Sequence, residues 1–129
     1  MTAEINKLSN RIIGAAIEVH KSLGPGLLES AYEECLCHEL NLQSIAFQRQ
    51  KALPIIYKEK SLDLGYRLDI VVENKIILEL KSCDAVEPIH KAQLLTYLRL
   101  SGLKLGLILN FNVPVMRCGI FRVVNELRE

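Results

Sequence analysis

The segment RLDIVVENKIILELK, residues 67 to 81, constrains the fold more than any other part of the chain. Leu68, Ile70 and Val72 recur at every second position, and Ile76, Ile77, Leu78 and Leu80 follow the polar Glu73-Asn74-Lys75. Two short runs rich in apolar and β-branched residues around a polar turn specify a β-hairpin. Beyond it, Glu87-Pro88 opens a helical pattern with proline at its first position. That helix ends at Ser101-Gly102, and the apolar run LKLGLILNF follows as another strand. A helix between two strands can carry the chain across one sheet to a parallel neighbour. The expected sheet is therefore mixed.

Upstream, Ile5, Leu8, Ile12, Ala15, Ala16, Val19 and Leu23 recur at three- and four-residue steps. They predict an amphipathic helix stopped by Gly24-Pro25-Gly26. A second helix is expected from about Leu27 to Leu40. Residues 44 to 82 favour strands, with turns near Lys58–Lys60 and at Glu73–Lys75. GIFRVVN supplies a last short strand. The expected order is ααβββαββ, an α/β (mixed α+β) class with helices packed against a central sheet. At 129 residues, half of them hydrophobic, residues 1–129 are expected to form a single domain whose core needs no scaffold metal.

Sixteen basic residues stand against 15 acidic ones, so no broad positive field draws the chain onto nucleic acid. Contact with nucleic acid must come from a local patch. Arg49, Lys51, Lys58 and Lys60 are the candidate, and the same spacing also suits a solvated strand edge with gatekeeper lysines. The four cysteines contain no CxxC pair and form no zinc pattern. The N-terminal residues lack signal architecture and no apolar run is long enough to span a bilayer. A cytoplasmic protein with reduced thiols and no membrane contact is expected.

Within the greasy hairpin sit Asp69, Glu79 and Lys81. If Glu73-Asn74-Lys75 is a three-residue loop, Val72 pairs with Ile76 and Asp69 comes opposite Glu79. Directly opposed residues have Cβ atoms about 5 Å apart. Two carboxylates so placed repel, and a divalent cation between them reverses the sign. Lys81 is two residues beyond Glu79 and so on the same strand face. Two carboxylates that hold Mg²⁺ or Mn²⁺ beside an ammonium group suit phosphodiester hydrolysis. A two-residue turn would instead set Asp69 opposite Leu78, and Glu79–Lys81 also reads as a weak surface pair.

Two further stretches carry polar residues at helical spacing. In GPGLLESAY, Glu29 and Tyr32 share a helix face, although an acid in a first turn also offsets the helix dipole and Tyr32 suits a core. In HKAQLLTYL, Gln93 and Tyr97 are four apart on one face. His20, late in the first helix, faces either Glu29 or the core. His38 and His90 read as structural or surface residues.

Taken together, GPGLLESAY, YRLDIVVENKIILELKS and IHKAQLLTYLRLSGLKLGLILNFNVPVMRCGIFRVVN resemble the GxxExxY proteins, which are assigned to the PD-(D/E)xK nuclease superfamily. The resemblance runs from about residue 10 to residue 125. It implies a restriction-endonuclease-like core and a Mg²⁺- or Mn²⁺-dependent nuclease acting on DNA or RNA. It also implies Asp69 and Glu79 as metal ligands, the Leu80 carbonyl as a backbone ligand and Lys81 as the catalytic lysine. Glu29 would add a carboxylate, and Gln93 and Tyr97 would line the site. Two other readings stand beside this one. A non-catalytic module of the same fold would bind nucleic acid or protein. A homodimer could form through the long first helix, although that helix can equally cover its own sheet.

Overall fold

A computed structural model describes residues 2–127. Helix α1 (Thr2–Leu23) is followed by α2 (Glu29–Leu42), then by five strands: β1 (Phe47–Ala52), β2 (Ile55–Tyr57), β3 (Lys60–Leu62), β4 (Arg67–Val72) and β5 (Ile76–Lys81). Helix α3 (Pro88–Ser101), β6 (Leu105–Asn110), a 3₁₀ turn at Met116–Gly119 and β7 (Ile120–Val124) complete the order.

The central sheet has five strands in the order β1-β4-β5-β6-β7. β5 and β6 are parallel, and every other neighbouring pair is antiparallel. This is the mixed sheet expected from the hairpin and the crossover, and α3 is the crossover helix. Its start is capped by Glu87, whose N–H donates to His90 Nδ1 at 3.0 Å. The β4–β5 turn keeps the predicted register, with Val72 opposite Ile76. Lys75 N–H closes it onto the Val72 carbonyl at 2.9 Å.

The order ααβββαββ undercounts the strands before α3: two of the three expected there are each divided. Pro54 follows Leu53 between β1 and β2 and has no N–H for a ladder. Between β3 and β4, Gly65 takes a left-handed turn at φ 81°. The strands β2 and β3 consequently leave the central sheet as a separate two-stranded arm.

Both faces of the sheet are covered. On one, Leu8, Ile12, Ala15, Ala16 and Val19 of α1 and Tyr32, Leu36 and Leu40 of α2 pack against Ile70, Val72, Leu78, Leu80, Leu107 and Leu109. On the other, Leu94, Tyr97 and Leu98 of α3 pack against Leu68, Val71, Ile77 and Ile108. The apolar stripe of α1 is thus spent within its own chain, which removes the feature that a dimer through α1 rested on. Among the described residues no helix is long and apolar enough to cross a membrane.

A candidate metal-binding carboxylate site

Leu68 packs with Val71 on the α3 side, whereas Ile70 and Val72 face α1 and α2. The two-residue alternation is therefore broken at Asp69. The ladders are broken there too. β4 pairs with β5 as far as Ile70↔Leu78. On its other edge, Arg49↔Ile70 and Lys51↔Leu68 flank an unpaired Gln50, which sits in the left-handed region at φ 50°.

Side chains take over where the β4–β5 ladder stops. Asp69 N–H donates to Glu79 Oε2 at 3.0 Å, and Leu80 N–H donates to Asp69 Oδ2 at 2.8 Å. Each carboxylate thus caps the opposite strand with one oxygen. The other oxygen of each makes no hydrogen bond among the described residues. Because the N–H and C=O of one residue point the same way across a strand, the Leu80 carbonyl also faces the Asp69 side.

Glu79 is only 8% exposed. Burial first, and then the neighbouring Asp69 charge, push its pKa up to about 8, against the Asp69 N–H and the Lys81 ammonium. Burial also holds Asp69 above the ordinary carboxylate range; the Leu80 N–H opposes this, while Glu33 and Glu29 add to it. Near neutral pH the pair therefore retains a proton. A cation would displace that proton and meet two free carboxylate oxygens. Among the described residues no three or more His, Cys, Asp or Glu side chains converge on one point. A pair of carboxylates completed by water, carbonyl or phosphate oxygens is nevertheless an ordinary Mg²⁺ donor set, and the residues fit a hard divalent ion.

The other predicted residues lie around this pair to different degrees. Lys81 is half-buried, takes part in none of the ion pairs among the described residues, and acts on both carboxylates. Glu29 begins α2, is exposed, and adds its charge at both acids. Tyr97 is buried, and desolvation first, then the charges of Glu79 and Asp69, raise its pKa. Gln93, one turn earlier on α3, is exposed and makes no hydrogen bond among the described residues.

Several motif residues prove to be scaffold. The Tyr32 hydroxyl donates to the Gly24 carbonyl at 2.6 Å and accepts from Leu27 N–H at 3.1 Å. Its ring stacks on Phe111 with centroids 4.5 Å apart. The Leu27 carbonyl in turn accepts from Ser82 Oγ at 2.6 Å. The Gly24–Leu27 loop that introduces Glu29 is thereby tied to the end of β5. Asn110, 2% exposed, holds both the N–H and the C=O of Cys83. His20 faces the Val113 carbonyl at 2.7 Å, not Glu29.

Two residues at the site, Glu33 and Gln50, escaped the sequence reading. Glu33, whose side chain is 12% exposed, binds Arg49 at 2.9 Å and Gln50 at 2.9 Å. Glu33 lies one helical turn after Glu29, a spacing that places both on one face of α2 and could have flagged it. Arg49 also meets Glu34 at 2.7 Å, so the expected basic run loses its first member to ion pairs. Gln50 carried no signal, because its position opposite Asp69 depends on β1 pairing with β4.

A family model described as the PD-(D/E)XK nuclease superfamily matches residues 6–123. Neither a curated protein nor a solved structure matches the chain.

Proposed function

The chain belongs to the PD-(D/E)XK nuclease superfamily, and from that premise we propose that it is a Mg²⁺- or Mn²⁺-dependent nuclease hydrolysing phosphodiester bonds in DNA or RNA. Members of the superfamily generally use divalent metal ions. The observation that carries the reading is the reciprocal capping at Asp69 and Glu79. It stands where the β4–β5 ladder stops, and it leaves one oxygen of each carboxylate without a hydrogen bond among the described residues.

In this reading Asp69, Glu79 and the Leu80 carbonyl hold the ion. When bound, the ion neutralises phosphate charge and lowers the pKa of a bound water. Lys81 stabilises the negative charge that develops on the phosphate oxygens, from the strand face it shares with Glu79. Glu29 and Tyr97 line the same site in this reading, with Gln93 one turn before Tyr97 on α3. Glu33 ties α2 to β1 through Arg49 and Gln50, and Glu29, one turn earlier on α2, adds its charge at Asp69.

Titration calorimetry with Mn²⁺ tests the site first. We expect binding of one or two ions per chain, lost in Asp69→Asn and in Glu79→Gln, which keep shape and remove charge. Cleavage is then screened on single- and double-stranded DNA and RNA, with Lys81→Ala as the inactive control. Cleavage by Lys81→Ala equal to that of the parent would remove the lysine from the mechanism. Absence of ion binding, even with an oligonucleotide supplying phosphate oxygens, would leave the non-catalytic binding module as the better account.

A further inference from the structure

The β2–β3 arm stands apart from the central sheet. Its pairs are Ile55↔Leu62, Ile56↔Ser61 and Tyr57↔Lys60. The turn between them, Lys58-Glu59, is left-handed at both residues, φ 48° and 70°. An isolated two-stranded hairpin is marginal in water, yet this one exposes large side chains: Tyr57 is 63% exposed and Ile56 54%. Its root is firm. Leu53 is buried against α3, and its N–H donates to the Tyr66 carbonyl at 3.0 Å.

Tyr66 stands at that root, three residues before Asp69, or about 10 Å of strand. It is 44% exposed. Its ring meets Tyr97 edge-on, with centroids 6.4 Å apart and planes at 62°. An edge-on pair occupies at most one face of either ring, so Tyr66 retains a face for another partner. Tyr97 lies in the field of Glu79 and Asp69. Through its ring contact with Tyr97 and its place directly before β4, Tyr66 links the arm to the strand that carries Asp69. Further out, Lys58 Nζ is 5.4 Å from the Tyr57 ring centroid, and Lys60 pairs across from Tyr57.

Aromatic faces interleaved with ammonium groups are what an unpaired strand requires: bases stack on the rings while cations follow the phosphates. A duplex keeps its base faces in its own stack and would leave both tyrosines unused. The apolar Ile56 and Leu64 would also suit a protein partner. The lysines at the tip and the continuity of Tyr66 with the carboxylate site favour nucleic acid. We propose that the β2–β3 arm binds unpaired nucleotides, with a base stacked on Tyr66, so that the substrate is a single strand or carries an unpaired segment at the cleavage site. This inference rests on the nuclease reading of that site.

Oligonucleotides carrying 2-aminopurine report stacking directly. They are titrated as single-stranded DNA, single-stranded RNA and fully paired duplex, in the Lys81→Ala background with and without Mn²⁺, so that nothing is cut. The single strands should be quenched and the duplex should not, and the two sugars show which nucleic acid is preferred. Tyr66→Ala should weaken single-strand affinity roughly tenfold and abolish the quench. Tyr66→Phe should keep both, and Tyr57→Ala should give a smaller loss. All three substitutions are at exposed positions, and equal thermal melts confirm folding. The inference is overturned if the single strands are not quenched, if duplex and single strand bind alike, or if Tyr66→Ala binds and quenches like the background chain. The stacking readout needs no cleavage. Failure of the parent to cut any substrate counts against the nuclease reading alone, and cleavage confined to duplex counts against the arm alone.

Discussion

Glu79 links the fold to the pH. Its carboxyl pKa rises from 4.5 to about 8 on burial beside Asp69. Between those values the native protein keeps a proton that the unfolded chain has already released. The stability that this group contributes in EDTA should therefore be fully present below pH about 4.5, fall as the pH rises toward about 8, and level off beyond. Asp69, raised as well, adds to the same slope. Urea unfolding from pH 5 to 9 measures this, and Glu79→Gln should flatten most of it, because the amide has no proton to lose. Divalent cations compete for the same oxygens. Mn²⁺ affinity should therefore climb with pH to about 8 and then plateau, and saturating metal should offset the loss of stability at high pH.

At the scale of elements, the positions around the site are set by a few close contacts between segments. The loop before α2 hangs on the Tyr32 hydroxyl, which serves Gly24 and Leu27 together. Tyr32→Phe keeps the stack on Phe111 and leaves the Leu27 N–H without its partner. We expect a loss of about 1–2 kcal/mol in urea unfolding, with faster hydrogen exchange at Leu27. Two glycines distinguish rigid neighbours from yielding ones. A Cβ at Gly119 would collide with the backbone carbonyl of Asn110, the residue that holds Cys83. A Cβ at Gly106 would first meet the Leu94 side chain, at 2.8 Å. Gly119→Ala should therefore cost more than Gly106→Ala, by about 1 kcal/mol or more in equilibrium unfolding, because a rotamer can move where a strand end cannot.

At the scale of the whole molecule, charge limits how nucleic acid can be held. The chain carries a formal charge of +1, and Arg49 is committed to Glu33 and Glu34. Lys58, Lys60 and Lys81 remain near the proposed path. Three phosphate contacts predict a slope of roughly −2 for log affinity against log salt with single strands. Lys58→Ala should reduce that slope, whereas Arg49→Ala should leave it unchanged and instead loosen β1 from α2. Fluorescence anisotropy across a salt series separates the two. A much steeper slope would place the binding surface elsewhere.

The register that brings Asp69 to Glu79 was legible in the sequence, because it depends on a short turn and a two-residue period, both local. The crossover α3 and the buried stripe of α1 were legible for the same reason. Strand division at Leu53-Pro54 and at Gly65 was written in the residues too, but whether the detached pieces rejoin the sheet depends on pairing energies that no short window contains. What only the tertiary structure decided are the contacts between distant segments: Glu33 with Gln50, Ser82 with Leu27, His20 with Val113, and Tyr66 against Tyr97. The protonated state of Glu79 belongs with them. A carboxyl pKa follows from the water and charge around it, and that environment exists only once the helices have closed over the sheet.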